Sequence, residues 1–314
     1  MENGLVTRTT GSWYNVLTPS GKAFNCRLRG GYRLHGNKQT NPIAVGDLVS
    51  FALQTDGTGV IHEVADRRNY IVRRATKLSK QTHVIAANID LLCIVATLAS
   101  PRTSTGFIDR LLATAEAYHI PACLIFNKSD LLTQADLREA QASMAAIYTT
   151  ASYPVLQVSA QQGTGLEQLS QAIAGRTILF CGHSGVGKSA LLNALAPSLH
   201  LRVGDISHWS LKGTHTTTFA EIFPVPLRTA ESEATTYLID TPGIKEFGLV
   251  DIAPQELSHF FPEMRPLLPQ CRFANCTHTH EPGCAVKEAV ANGKISSWRY
   301  KNYLNMIDDL TAGE

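Results

Sequence analysis

Long hydrophobic runs are missing from this chain of 314 residues. The longest apolar stretch, around Leu91 to Ala99, is far shorter than the roughly 18 residues of a membrane-spanning helix. The segment Met1 to Trp13 lacks the hydrophobic core of a signal peptide. We therefore expect no membrane partner and a cytoplasmic location.

The chain also has few cysteines and a small net charge. Four of the seven cysteines stand singly in apolar runs, where we expect small buried thiols: Cys26, Cys93, Cys123 and Cys181. This usage is typical of a reducing compartment and excludes a disulfide-rich secreted protein. The net charge is only +2, but residues 1–80 carry 12 basic against 5 acidic side chains, whereas the remainder is slightly acidic. A basic module of this kind indicates a polyanionic partner.

A glycine-rich loop stands between a short apolar run and an apolar helix start. Its residues are Gly182, His183, Ser184, Gly185, Val186, Gly187, Lys188, Ser189 and Ala190. Glycines let successive N–H groups turn toward phosphate oxygens, the lysine can reach the outer phosphates, and the Ser189 hydroxyl can ligate Mg²⁺. The spacing predicts a nucleoside triphosphate site, with Lys188 assisting catalysis.

Three further motifs follow predicted strands. The first, Asn127, Lys128, Ser129 and Asp130, ends in a carboxylate that can accept from the two adjacent donors of guanine, a pair that adenine lacks. The second, Ser159 and Ala160, can close over the guanine oxygen. The third contains Asp240, near Mg²⁺, and Gly243, near the γ-phosphate. Because ligands of α/β sheets bind at the carboxyl ends of strands, the motifs together predict a GTP site.

The guanine motif precedes the phosphate loop here, whereas ordinary GTPases have the reverse order. A circular permutation preserves the crevice of such a sheet. With these motifs the chain resembles the RsgA (YjeQ) family, the circularly permuted GTPases dependent on the small ribosomal subunit, over nearly its whole length.

The loop around residues 213–218 is expected to supply the second Mg²⁺ ligand. Matching the family's pattern favours Thr217, with Thr216 as the alternative. Ile244 occupies the position where many GTPases have a water-orienting glutamine, and an aliphatic side chain cannot hold a water. His215 is the candidate catalytic residue, a role that the resemblance also implies, and intrinsic hydrolysis should be slow.

Four soft or borderline ligands stand close together near the end of the sequence: Cys271, Cys276, His278 and Cys284. Three thiolates and one imidazole form a closed tetrahedral shell, which predicts one structural Zn²⁺ per chain. His280 is a rival ligand, and the family's pattern favours His278.

We predict a multidomain fold with three parts: an OB-like β-barrel over 1–75, a permuted α/β GTPase domain over 76–250, and a mainly α zinc-binding domain over 251–314. Thr164 and Glu167 suggest a capping box for the helix that follows them. The segment Pro254 to Leu268 is predicted to be one helix.

The resemblance implies GTP hydrolysis during late maturation of the small (30S) ribosomal subunit, with rRNA and GTP or GDP as partners. We expect a monomer with no DNA partner. The alternative is a nucleotide-gated RNA-binding protein in which hydrolysis is incidental.

Overall fold

The N-terminal part is a closed barrel of five strands. A computed structural model describes residues 1–30, 42–74, 82–197, 220–227, 234–240 and 252–312. The barrel strands are β1 (Glu2–Thr10), β2 (Trp13–Leu17), β3 (Ala23–Leu28), β4 (Leu48–Leu53) and β5 (Gly59–Val64). They pair in the order β1-β2-β3-β5-β4, and β4 returns to β1. This closure confirms the expected OB-like barrel.

Strand β1 was not predicted, because its sequence contains few β-type apolar residues. It is held by pairing with two neighbours, β2 and β4. Its inward-facing Val6 packs in the barrel core with Val16, Cys26 and Phe51. Tertiary pairing, which local sequence does not reveal, therefore decides the strand.

A separate two-stranded sheet joins the barrel to the central domain. It consists of β6 (Tyr70–Arg74) and β7 (Thr82–Ala87), paired antiparallel. The basic segment before β6 is partly committed to internal ion pairs. Arg67 pairs with the fully buried Asp47 at 2.7 Å, and Arg68 pairs with Asp90 at 2.8 Å. These two arginines therefore fix the joint between barrel and central domain.

The central domain alternates strands and helices. Its strands are β8 (Leu91–Ala96), β9 (Ala122–Phe126), β10 (Val155–Gln157), β11 (Thr177–Cys181), β12 (Glu221–Val225) and β13 (Thr236–Asp240). Its helices are α1 (Thr105–Ala117), α2 (Ala135–Thr150), α3 (Leu166–Ile173) and α4 (Lys188–Leu195). Strands β10, β9, β8, β11 and β13 are parallel, in that order. Their carboxyl ends therefore lie along one edge of the sheet, which we call the carboxyl edge.

The predicted capping box before α3 is wrong. The helix begins after Gly165, which has a left-handed backbone (φ +71°), and no side chain caps it. A Cβ at Gly165 would lie 2.3 Å from the carbonyl oxygen of Gln157, so the chain turns too tightly there for other residues. This turn, rather than a side-chain cap, sets the start of the helix.

The barrel and the central sheet are continuous. Strand β12 runs antiparallel to β13 and meets β1 at Arg8 and Glu221. A second connection lies at Gly46, where an added Cβ would stand 2.1 Å from the Ala87 carbonyl oxygen. The two parts are therefore attached at more than one point.

The C-terminal part is helical. It contains two 3₁₀-helices, Pro254–Phe260 and Arg265–Gln270, then α5 (Ala285–Ala291) and α6 (Ser297–Ala312). The single helix predicted over Pro254 to Leu268 is therefore wrong. Pro262 forces Phe261 into an extended conformation (φ −115°, ψ 101°) and separates the two turns. None of the helices in the described ranges has both the length and the apolar composition needed to cross a membrane.

Candidate nucleotide site and metal centre

The glycine-rich loop connects β11 to α4 at the carboxyl edge. Gly187 precedes the helix with φ +89°, and a Cβ there would lie 2.5 Å from Nδ2 of Asn127. Gly182 leaves β11 so close to β8 that a Cβ would lie 2.3 Å from the Val95 carbonyl oxygen. Only glycine fits these two positions, and the loop is thereby packed against the neighbouring strands.

The loop's lysine folds over its own backbone. Nζ of Lys188 donates to the carbonyl oxygens of Gly182 at 2.5 Å and His183 at 2.9 Å. Ser189 is buried and Ala190 half-buried in the first turn of α4. The ammonium thus lies against the first residues of the loop, and the loop ends at the start of a helix, where a phosphate would be attracted.

Asn127 links the loop to the other two motifs. Nδ2 of this buried side chain donates to the Val186 carbonyl oxygen at 2.9 Å, and its Oδ1 accepts from the Ala160 N–H at 3.2 Å. Both groups of the amide are used. The asparagine therefore fixes the spacing between the phosphate loop and the segment after β10.

The predicted base-binding carboxylate is also held in place. Oδ1 of Asp130 accepts from the hydroxyl of the fully buried Ser159 at 2.5 Å. Ser129 donates its N–H to Val158, and Lys128, in a left-handed conformation (φ 62°), donates from Nζ to the Ser100 carbonyl oxygen at 2.6 Å. Asp130 stays half-exposed, so its second oxygen can face an incoming base.

Sequence reasoning missed the loop after β8. Besides receiving Lys128 through Ser100, this loop places Pro101 next to Gly185, 3.3 Å from a Cβ built there. Just beyond it, the Phe107 ring of α1 stacks on His183, with centroids 3.7 Å apart and planes at 27°. The place of β8 in the sheet is what indicates a role for this loop. Strand β8 lies next to β11, so its carboxyl end borders the phosphate loop.

Several predicted residues lie outside the described residues: His215, Thr216, Thr217, Gly243 and Ile244. Asp240 ends β13 in register with Glu221, at the carboxyl edge. The roles assigned to these residues remain predictions.

The four predicted metal ligands come together in the C-terminal part. Their ligand atoms all lie within 4.8 Å of one another. Nδ1 of His278 is 3.3 Å from Sγ of Cys284 and 3.6 Å from Sγ of Cys271. Bonds of about 2.3 Å to a central zinc would separate tetrahedral sulfurs by about 3.7 Å, so the cluster can hold a metal ion.

The surroundings suit a bound cation. Burial lowers the pKa of His278 and thus favours the neutral imidazole that ligates metals. Burial raises the pKa of Cys276 to about 12, so a thiolate there needs a positive charge close by. His280 is exposed and its Nδ1 lies 2.9 Å from the Thr279 hydroxyl, away from the cluster.

Helix α6 joins this metal centre to the central domain. The buried guanidinium of Arg299 pairs with Asp109 of α1 at 2.6 Å and with Glu263 at 2.5 Å. The rings of Tyr148, Tyr153 and Phe261 surround it within 5.1 to 5.8 Å. Arg299 therefore serves an internal interface, whereas Lys301 on the same helix is exposed.

Family models match two segments of the chain. The RsgA N-terminal domain matches residues 3–61 and the RsgA GTPase matches residues 64–250. The chain is 48% identical over 311 residues to the small ribosomal subunit biogenesis GTPase RsgA 2 of Bacteroides thetaiotaomicron, covering 99% of this chain and 98% of that one. It is 46% identical over 312 residues to the small ribosomal subunit biogenesis GTPase RsgA of Porphyromonas gingivalis, with the same coverage.

Solved structures are also similar to this chain. The crystal structure of YjeQ from Thermotoga maritima superposes with a TM-score of 0.80 at 35% identity, covering 99% of this chain and 98% of that one. The structure of YloQ, a circularly permuted GTPase, gives 0.74 at 28% identity, covering 100% and 96%. The chain belongs to the RsgA GTPase family.

Proposed function

We propose that this GTPase acts in late maturation of the small (30S) ribosomal subunit, hydrolysing GTP to GDP and phosphate in the cytoplasm. The observation that best supports a GTP site is the pair of hydrogen bonds made by the Asn127 side chain. It ties the phosphate loop to the segment whose serine holds Asp130. The ribosomal role is supported by full-length relatives named small ribosomal subunit biogenesis GTPases.

Each part of the nucleotide then has a partner. The Asp130 carboxylate accepts from the ring N–H and the amino group of guanine, and the Ala160 segment lies over the guanine oxygen. The N–H groups of the loop 182–190 surround the phosphates. Lys188 leaves the carbonyl oxygens of Gly182 and His183 and turns to the outer phosphates, since a phosphate is the stronger acceptor.

The hydroxyls of Ser189 and Thr217 would hold Mg²⁺, which neutralises developing charge on the phosphates when bound. His215 would orient the attacking water in place of the glutamine that Ile244 replaces. Asp240 and Gly243 would complete the γ-phosphate end of the site. Loss of the γ-phosphate then releases the segments that carry Thr217 and Gly243.

We assign residues 1–75 to the barrel, 76–250 to the GTPase domain and 251–314 to the zinc domain. The protein would act as a monomer, and the barrel and the zinc domain would each bind rRNA. In the barrel, the Arg27 guanidinium lies 3.9 Å from the Trp13 ring centroid, a combination of charge and stacking surface that suits single-stranded nucleic acid. Zinc at the Cys₃His cluster is the metal that this donor set favours, in a structural role.

Binding to purified ribosomal subunits tests the proposal. We expect affinity for small subunits to be at least about tenfold higher with a non-hydrolysable GTP analogue than with GDP, equivalent to about 1.4 kcal/mol. Lys188→Ala should abolish this difference, and Glu139→Ala, at an exposed site on α2 outside both flanking parts, should keep it. Equal affinity in both nucleotide states, or equal binding to large subunits, would contradict the proposal.

A further inference from the structure

A single carboxylate organises the backbone on both sides of the histidine ligand. Oε1 of Glu281 accepts from the N–H and the hydroxyl of Thr277, each at 2.7 Å. Oε2 accepts from the N–H groups of Thr279 at 3.0 Å and His280 at 3.2 Å. Four donors from three residues thus converge on one side chain, and His278 lies at the centre of the segment.

This segment needs support because His278 has an unfavourable backbone. Its φ of +59° is in the left-handed region, which residues with a Cβ seldom adopt. The conformation buries the ring, which is 2% exposed, and directs Nδ1 to the sulfurs of Cys271 and Cys284. A relaxed backbone at this position would turn the ligand away from the cluster.

Helix α6 holds the carbonyl side of the same segment. The hydroxyl of Tyr300 donates to the His278 carbonyl oxygen at 2.6 Å, and that of Tyr303 donates to the Thr277 carbonyl oxygen at 2.7 Å. On the N–H side, Glu281 holds Thr277, Thr279 and His280, whereas the His278 N–H faces the Cys276 sulfur. The two sets of bonds are therefore complementary, and neither replaces the other.

We propose that Glu281 is the positioning residue of the metal centre: it holds the left-handed turn that presents Nδ1 of His278 to the ion. This inference rests on the proposed zinc site and adds a fifth functional residue to it. Glu281 contributes no ligand atom to the cluster. Its effect is exerted through the backbone, and partners of this kind commonly change metal affinity by 10- to 100-fold.

The test compares metal retention in matched variants of the full chain. Glu281→Gln keeps the size of the side chain but replaces one acceptor oxygen with a donor, which faces N–H groups that are donors themselves. Glu288→Gln, on the exposed face of α5, is the control. Zinc release to a chromogenic chelator should be about 10- to 100-fold faster in Glu281→Gln than in the wild type and the control.

Cobalt substitution gives a second readout. The d–d bands of Co²⁺ report tetrahedral sulfur and nitrogen ligation, and Glu281→Gln should weaken or shift them while Glu288→Gln does not. Thr277→Val removes only the hydroxyl donor, so we expect a smaller, few-fold acceleration of release. If Glu281→Gln does not fold, the zinc release rate of Thr277→Val still tests the role of Glu281.

The outcomes separate the inference from the zinc site itself. A wild-type protein without one tightly held zinc per chain would overturn the metal site. A zinc-loaded wild type, with release rates and cobalt spectra unchanged in Glu281→Gln and Thr277→Val, would overturn the role of Glu281 alone.

Discussion

At the scale of single residues, the proposed GTP site assigns base selection to one half-exposed carboxylate, Asp130. Asp130→Asn removes the negative charge and replaces one acceptor oxygen with a donor, which disrupts the hydrogen bonds from two guanine donors, each worth about 1.5 to 3 kcal/mol when the acceptor is charged. We expect GTP affinity to fall at least about 100-fold, with little change in the free energy of unfolding. Equilibrium titration with a fluorescent GTP analogue measures the loss.

Asp136→Asn, on the exposed first turn of α2, is the matched control and should bind GTP normally. Ser159→Ala should give a smaller loss, since it removes only the hydrogen bond that orients Asp130. Unchanged GTP affinity in Asp130→Asn would mean that the base lies elsewhere.

Cys26 gives the barrel a dependence on alkaline pH. Burial raises the pKa of this thiol from 9.0 to about 11. Its contribution to stability is therefore complete below about pH 9 and is lost as the pH rises to about 11, because only the unfolded chain ionises in that window. The loss amounts to about 3 kcal/mol.

Denaturant unfolding between pH 8 and pH 11 measures this loss. Cys26→Ala should be less stable at pH 8, but its free energy of unfolding should fall less steeply with pH because it lacks this thiol. Some decline remains in both proteins, since both keep the buried thiols Cys93 and Cys181. Identical slopes in the two proteins would contradict the assignment.

Candidate functional residues can be identified from the sequence where chemistry restricts the residue type. The Cys₃His cluster is an example, because few other reasons explain three cysteines and a histidine at such spacing, and the structure brings all four together. The residues that hold such candidates in position could not be identified from the sequence. Glu281 and Ser100 act through hydrogen bonds with the backbone, which almost any sequence could provide.

At the scale of elements, the contact between α1 and α6 attaches the part that contains the Cys₃His cluster to the GTPase domain. Arg299→Met leaves the carboxylates of Asp109 and Glu263 buried without their cation. Removing one partner of a buried pair commonly costs about 3 to 5 kcal/mol. Denaturant unfolding followed through the C-terminal part should show a loss of this size.

Arg110→Met is the control, because its pair with Asp309 on the same interface is largely exposed. Exposed pairs contribute about 0 to 1 kcal/mol. Equal destabilisation by the two variants would show that Arg299 is not the anchor of this interface.

Elements with a clear hydrophobic period were predicted well, and the exceptions have physical causes. The continuous apolar runs of strands β8 and β9 and the amphipathic period of helix α1 are visible in the sequence. Strand β1 was missed because partners on both sides stabilise it. The single helix predicted over Pro254 to Leu268 does not form because Pro262 keeps Phe261 out of the helical conformation.

At the scale of the whole molecule, the fold class followed from the order of motifs, whereas the joining of its parts did not. No periodic pattern indicates that β12 would meet β1 and merge the barrel with the GTPase sheet. The pairing of Arg8 with Glu221 lies at the start of β12, the strand that follows the segment containing His215 and Thr217. The barrel is therefore attached next to a segment expected to respond to the γ-phosphate.

Metal removal tests how independent the C-terminal part is. It has its own buried apolar cluster, which includes Leu257, Phe261 and Tyr303 as well as Cys276 and Cys284. Zinc binding can contribute on the order of 10 kcal/mol to folding, so chelation should expose residues 252–312 to limited proteolysis. GTP affinity should persist, because the described nucleotide-site residues lie in the central domain. Parallel loss of GTP binding would contradict this separation.

The most direct test of the central claim is GTP turnover by the purified protein alone, with small ribosomal subunits and with large subunits. We predict slow turnover alone, since Ile244 cannot orient a water, and strong acceleration by small subunits only. Fast turnover by the isolated protein, or equal acceleration by both subunits, would contradict a GTPase triggered by the small subunit. Tight GTP-dependent binding to small subunits without acceleration would instead favour nucleotide-gated RNA binding.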